Sequence, residues 1–199
     1  MLNVVFQKYT KTCASVAGGI SRLWLFDPAD FDFTVTSTGV APVLVVKAYT
    51  TMTRMAGATF VGGARTFSVP IIAEESERTG KMSSRKGCSV RWEHELTFQL
   101  AQLSKELTAY LQHLGDASCC AGLGCIIEHF DGKLYVMGEM YNNTVSIPRF
   151  FAYMDGTETT SGKVMDDFNG ATVKIKAAYT RELHEFTGAV SVITGYETA

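Results

Sequence analysis

Ser89-Val90-Arg91-Trp92-Glu93-His94-Glu95-Leu96-Thr97-Phe98-Gln99-Leu100 decides the fold class. Val90, Trp92, His94, Leu96, Phe98 and Leu100 alternate with Ser89, Arg91, Glu93, Glu95, Thr97 and Gln99. Strict alternation over this length marks a β-strand with one buried and one solvated face. Immediately after it, Leu103, Leu107, Leu111 and Leu114 recur at helical spacing with Tyr110 beside them. Ser104 is a good N-cap, Glu106 puts negative charge in the first turn, and Gly115 supplies a stop. The expected helix therefore runs from Ser104 to Leu114 and lays its apolar face on a sheet or a partner.

Downstream, Gly124 to Phe130 and Leu134 to Met137 read as two strands joined at the tight-turn dipeptide Asp131-Gly132. From Tyr141 to Gly162 the chain reads as loop, with Asn142-Asn143, Asp155-Gly156 and Ser161-Gly162 as turn signals. Asn169-Gly170 turns into an alternating strand from Thr172 to Tyr179, and a last strand is expected from Thr187 to Thr194. Upstream, Ile20 to Phe26 and Phe31 to Thr36 read as short strands joined around Asp27-Pro28. Val43 to Thr50 and Thr66 to Ile72 follow as further strands. The polar run Glu74 to Gly87 reads as a mobile loop or arm, too poor in apolar residues to bury itself. The sum is roughly eight to ten strands and one good helix: a mainly β (α+β) single domain over residues 1–199, with 50–87 as an arm or inter-subunit loop.

Composition narrows the function classes. Hydrophobic residues make up 46% of the chain and charged residues 19%. That is enough to build a core, and it falls below the usual charged quarter of a soluble domain, as expected where other subunits cover part of the surface. The formal net charge is −2 and no Lys/Arg run exceeds two residues. Tight or sequence-specific nucleic-acid binding needs a basic excess and is not expected. Met1 to Thr12 shows no signal-peptide pattern, and no window approaches the apolar length of a membrane helix. The expected compartment is cytosol-like, where the five cysteines stay reduced.

Catalytic and metal grammar is missing. Cys119, Cys120, Cys125 and His129 lie close, but zinc ligands come as pairs two to four residues apart, and a second knuckle is lacking. Cys119 and Cys120 are expected in a small-residue loop and Cys125 in a strand core, with no metal and no cofactor. There is no Gly-x-Ser-x-Gly elbow, and His94, His113, His129 and His184 are scattered. His94 falls on the apolar side of its strand, so a packed histidine is expected there. Glu93 and Glu95 fall on the polar side, where solvated charges belong. Ala17-Gly18-Gly19-Ile20 and Val61-Gly62-Gly63-Ala64 lack the spacing of a phosphate loop and read as bends beside strands. No catalytic, cofactor or metal residue is assigned, and the chain is not expected to be an enzyme.

The order of elements carries a resemblance. Leu96-Thr97-Phe98 leads into the helix Ser104 to Leu114, then Asp131-Gly132-Lys133, Val136-Met137-Gly138-Glu139, Ser161-Gly162-Lys163 and Asp167-Phe168-Asn169-Gly170-Ala171-Thr172. Near the N-terminus stand Ala17-Gly18-Gly19-Ile20 and Leu23-Trp24-Leu25. Over about two thirds of its length the chain resembles the tail tube and related virion structural proteins of tailed phages and prophages, particularly of Bacteroides-type hosts; Thr50 to Gly87 lies outside the likeness. The resemblance implies a β-sandwich or barrel with one flanking helix. It implies self-assembly into rings, usually hexameric, that stack into a tube through which viral DNA passes with transient, non-specific contact. Other tail or connector proteins would be partners, no membrane would be involved, and assembly would occur in the host bacterial cytoplasm. A tail terminator, a head–tail connector or a capsid-decorating protein is the alternative of the same class. A small β-barrel enzyme or ligand binder using His94, Glu93 or Glu95 is the alternative of another class.

Overall fold

A computed structural model describes residues 19–38, 46–54, 65–85, 89–120, 122–138, 152–162, 167–179 and 182–197. In chain order these form β1 (Ile20–Phe26), β2 (Phe31–Thr38), β3 (Val46–Arg54), β4 (Thr66–Val69), β5 (Glu77–Arg85), β6 (Ser89–Ala101), α1 (Lys105–Cys120), β7 (Gly124–His129), β8 (Leu134–Met137), β9 (Tyr153–Thr160), β10 (Gly170–Tyr179), β11 (Glu185–Phe186) and α2 (Val190–Thr194). The strands make two sheets. The larger has the order β2-β3-β11-β8-β7-β1-β4, and the smaller β5-β6-β10-β9. The mainly β, sandwich-like architecture with a flanking helix agrees with the sequence reading.

The alternation of β6 sets the packing. Leu96, Phe98 and Leu100 turn inward beside Val173, Ile175, Ala177 and Tyr179 of β10. They meet Leu23 and Leu25 of β1, Cys125 and Ile127 of β7, and Leu111 and Leu114 of α1 in one buried cluster. The other face of the large sheet is buried as well: Trp24, Phe26, Ile126 and Val136 pack with Phe31, Phe33, Tyr49 and Phe186. Burial on both faces explains why Leu23 to Phe26 of β1 and Cys125 to Ile127 of β7 are apolar without alternation.

The ends of α1 follow local chemistry. The Leu107 N–H donates to Ser104 Oγ at 3.1 Å, the expected N-cap. The expected stop at Gly115 is overturned: the helix continues to Cys120, and Gly122, at φ +79°, sends its N–H back to the Ala117 carbonyl at 3.1 Å. Gly115 instead faces Met154 of β9, where a Cβ would stand 3.4 Å from the methionine methyl. In the added turn, Ser118 Oγ accepts the Met154 N–H at 2.7 Å. Cys119 therefore lies in a helix, and so does Cys120, not in a loop.

Other expectations are corrected. The arm from Glu74 is a short 3-10 turn (Ala73–Glu75) followed by β5, which pairs with β6 from Glu77↔Thr97 to Arg85↔Ser89; residues 86–88 lie outside the described residues. Backbone pairing to β6 orders a segment that has little apolar surface to bury. Residues 55–64 of the same arm also lie outside the described residues. The loop from Tyr141 includes β9, an edge strand ordered the same way, with 139–151 outside the described residues. The strand expected from Thr187 to Thr194 is overturned: the last strand, β11, lies just before it and runs parallel to β3, and Val190–Thr194 coils into α2 with Ile193 buried, which makes a second helix. The third strand runs to Arg54, with 43–45 outside the described residues. The fourth ends at Val69, before Pro70, and Ile71 makes a single bridge to Leu100. Among the described residues, no helix is long and apolar enough to cross a membrane.

Candidate assembly interface

Among the described residues the smaller sheet has two lateral edges, and each outer strand pairs on one side only: β5 with β6, and β9 with β10. An outer strand presents unpaired N–H and C=O groups that can template a further strand. The two strands differ in charge. Glu77, Arg78, Lys81 and Arg85 give β5 three bases and one acid, whereas β9 has Asp155 and Glu158 and no base. Arg78 is turned inward, 3.0 Å from Glu182 and with its guanidinium 4.6 Å from the centre of the Tyr135 ring. Lys81, opposite Glu93, is exposed.

The edges are also staggered. β5 lies beside β6 from Ser89 to Thr97. β9 lies beside Gly170 to Lys176 of β10, which pair with Ala101 to Glu95 of β6. The strand centres are thus offset by about five residues, roughly 17 Å along the strands. Near its start β9 is tied to the rest of the fold by the Met154–Ser118 bond and by the bridge from Ala152 to Leu123.

The outer face of this sheet is polar and self-neutralised. Lys176 reaches Asp155 at 2.7 Å and Glu95 at 3.2 Å, and Arg91 reaches Glu93 at 3.1 Å. The hydrogen bond to Asp155, followed by that to Glu95, raises the Lys176 pKa. A shallow groove of about 280 Å³ runs between these side chains. With bases and acids nearly balanced, the face lacks the excess positive charge that would grip a phosphate backbone.

The residues of the enzyme-like alternative do not converge. Glu93 and Glu95 face outward, whereas the His94 side chain turns inward and is 1% exposed. His94 stacks on Trp92 with centroids 5.9 Å apart and meets Tyr179 edge-on at 5.6 Å. Its Nδ1 is 3.6 Å from Glu182, a neighbour that no local sequence pattern announces. This is the packed histidine expected from the alternation. Cys125 lies in the strand core at 0% exposure, and burial pushes its thiol pKa well up, whereas Cys119 is exposed. Among the described residues, no three His, Cys, Asp or Glu side chains cluster as a metal site.

Sequence reading missed both edge strands. The signals were thin: Gly80, where a Cβ would come 3.0 Å from His94 Nδ1, and Met82 in an otherwise polar run. Compared with protein-family models, curated proteins and solved structures, the chain matches none.

Proposed function

We propose that the chain is a self-assembling structural protein of the tail-tube kind, which forms rings by joining β9 of one copy to β5 of the next. The supporting observation is the pair of oppositely charged, staggered edges on one sheet. The sheet has four antiparallel strands, so a neighbour related by rotation presents β5 antiparallel to β9 and the ladder continues without reversal. Such a contact is heterologous, and heterologous contacts that close give rings. The stagger suits closure. Four inter-strand spacings of about 4.8 Å make roughly 19 Å, and a shift of roughly 17 Å over that width tilts the strands by about 40°, inside the 35–45° range of closed barrels.

In such a ring the inward face of the small sheet stays against its own large sheet, and the polar outer face lines the bore. Its balanced charges would let viral DNA pass with only transient contact. Stacked rings would then form a tube in a virion assembled in the bacterial cytoplasm, with other tail or connector proteins at its ends. The test is native mass measurement and negative-stain imaging of the purified chain. Rings with a central bore are expected, and a monomer at every concentration tested would overturn the reading.

A further inference from the structure

The β7–β8 turn is a rigid knob with an aromatic side chain on it. Phe130 is 44% exposed and rests on Gly19, where a Cβ would come 3.0 Å from its ring. The Gly132 N–H donates to the His129 carbonyl and the His129 N–H to the Lys133 carbonyl, both at 2.9 Å. The Lys133 N–H donates to Asp131 Oδ1 at 3.0 Å. These bonds hold Phe130 beside the exposed charges of Asp131 and Lys133.

At the opposite end of the same strand there is a hole. Between α1 and the ends of β1 and β4, a cavity of about 310 Å³ is walled by Phe26, Phe67, Tyr110, Leu114 and Leu123. It is at the small end of ligand pockets and suits one aromatic ring. Asp27 and the exposed His113 line it as well. Asp27 is pinned, with its carbonyl accepting the Asp30 N–H at 3.0 Å and its Oδ1 the Ala29 N–H at 2.8 Å. β7 starts opposite Phe26 and ends opposite Ile20, so hole and knob lie at its two ends. From Leu123 to Phe130 the chain advances seven residues, roughly 23 Å.

We infer that the β7–β8 turn of one copy seats Phe130 in the α1–β1–β4 cavity of the next, head to tail along the strands of the large sheet. A second copy is the occupant because charge matches as well as size. Lys133 of the knob meets Asp27, and Asp131 meets the His113 ring. Among the described residues, neither Lys133 nor Asp27 has an ion-pair partner within its own chain. A head-to-tail contact that does not close repeats in one direction, which makes a stack. It uses strand ends of the large sheet, whereas the ring joint uses lateral edges of the small one. The inference rests on the ring reading for what is stacked, and it names the surface that stacks it.

The test uses variants of the full chain, each purified and assembled separately. Phe130→Ser removes the knob at an exposed position. Ala117→Trp, also at an exposed position, fills the cavity from α1, and Ala117→Lys serves if the tryptophan variant misfolds. Native mass and negative-stain imaging at graded concentration should show stacks lengthening for the unaltered chain and single units for either variant. A one-to-one mixture should give pairs and nothing longer, because each unit keeps one working end. Lys133→Glu should raise the concentration for half-maximal stacking, and by less at high salt. Stacks in the Phe130 or Ala117 variant alone, no pairs in the mixture, or an unchanged concentration for Lys133→Glu would overturn the inference. Single rings of the unaltered chain would overturn it and leave the ring reading standing, whether the cavity is empty or holds a small apolar molecule detected by native mass. Pairs with the mass of two single subunits in the mixture would uphold it while defeating the ring reading.

Discussion

The backbone N–H of Gly138, just past β8 in the large sheet, donates to the hydroxyl of Tyr179, the last residue of β10 in the small one. Both residues are buried, so the bond ties the two sheets together at one end. Gly138 has φ +84°, and a Cβ there would come 1.9 Å from the Leu123 carbonyl oxygen, so no side chain fits. Replacing Tyr179 with Phe keeps the ring and leaves a buried N–H without its acceptor. The expected cost is about 1–3 kcal/mol. At about 2–4 °C per kcal/mol for a chain of this size, Tm should fall visibly in a thermal melt. A Tm equal to that of the unaltered chain would mean that the bond adds nothing.

His129 makes stability depend on pH. Partial burial lowers its pKa, the charges of Arg78 and Lys133 lower it further, and Asp131 opposes them. It lies edge-on to Tyr135 at 5.1 Å. Because the folded-state pKa is below the ordinary value of about 6.5, the unfolded chain binds more protons as pH falls through that value. Stability from this group is therefore complete above about pH 6.5 and is lost towards the lower, folded-state pKa. Denaturation midpoints measured from pH 8 to pH 5 should fall more steeply for the unaltered chain than for His129→Gln. Parallel curves would assign the acid sensitivity to other groups.

The thiols should separate by reactivity. Thiolate is the nucleophile, and burial holds Cys125 in its neutral form far above ordinary assay pH, while Cys119 is exposed. Under native conditions an alkylating reagent should label Cys119 within minutes, and Cys125 only at the rate of unfolding. Peptide mass analysis reads the two sites. Rapid native labelling of Cys125 would show that the strand core opens locally at β7.

The residues that were legible in the sequence were those whose environment is one-sided. β6 and β10 bury one face and solvate the other, so their period of two is plain. The Ser104 cap and the Asp131-Gly132 turn, where the Lys133 N–H donates to Asp131 Oδ1 at 3.0 Å, depend on neighbours within a few residues. β5 and β9 were not legible, because an outer strand is ordered by backbone pairing along one side and can keep a polar sequence. Gly115 misled because a glycine inside a helix also serves close packing, here against Met154. Val190–Thr194 has a strand-like composition, yet buries Ile193 as a helical turn against the aromatic cluster. The candidate interface was hidden for the same reason as its strands, since both of its halves are outer edges.

Charge exchange across the proposed ring joint is the sharpest test of assembly. Glu158 of β9 is exposed, and so is Lys81 of β5 on the neighbouring copy. One exposed pair contributes only about 0.2–1 kcal/mol. A closed ring repeats the joint at every subunit, so in a hexamer the same pair contributes roughly 1–6 kcal/mol to the whole. Glu158→Lys places a further basic side chain next to an edge that is already basic, and Lys81→Glu does the converse on the other strand. Each single variant should therefore need a higher protein concentration for half-maximal ring formation, with an unchanged melting curve for the subunit. The double variant Glu158→Lys/Lys81→Glu restores opposite signs at every joint and should recover most of the loss. High salt should shrink the difference between unaltered and single-variant chains, because exposed charges are screened within about 8 Å at physiological ionic strength and within less above it. Native mass across a dilution series measures all four chains. Single variants that assemble as well as the unaltered chain, or a double variant no better than either single, would place the ring joint somewhere other than β5 and β9.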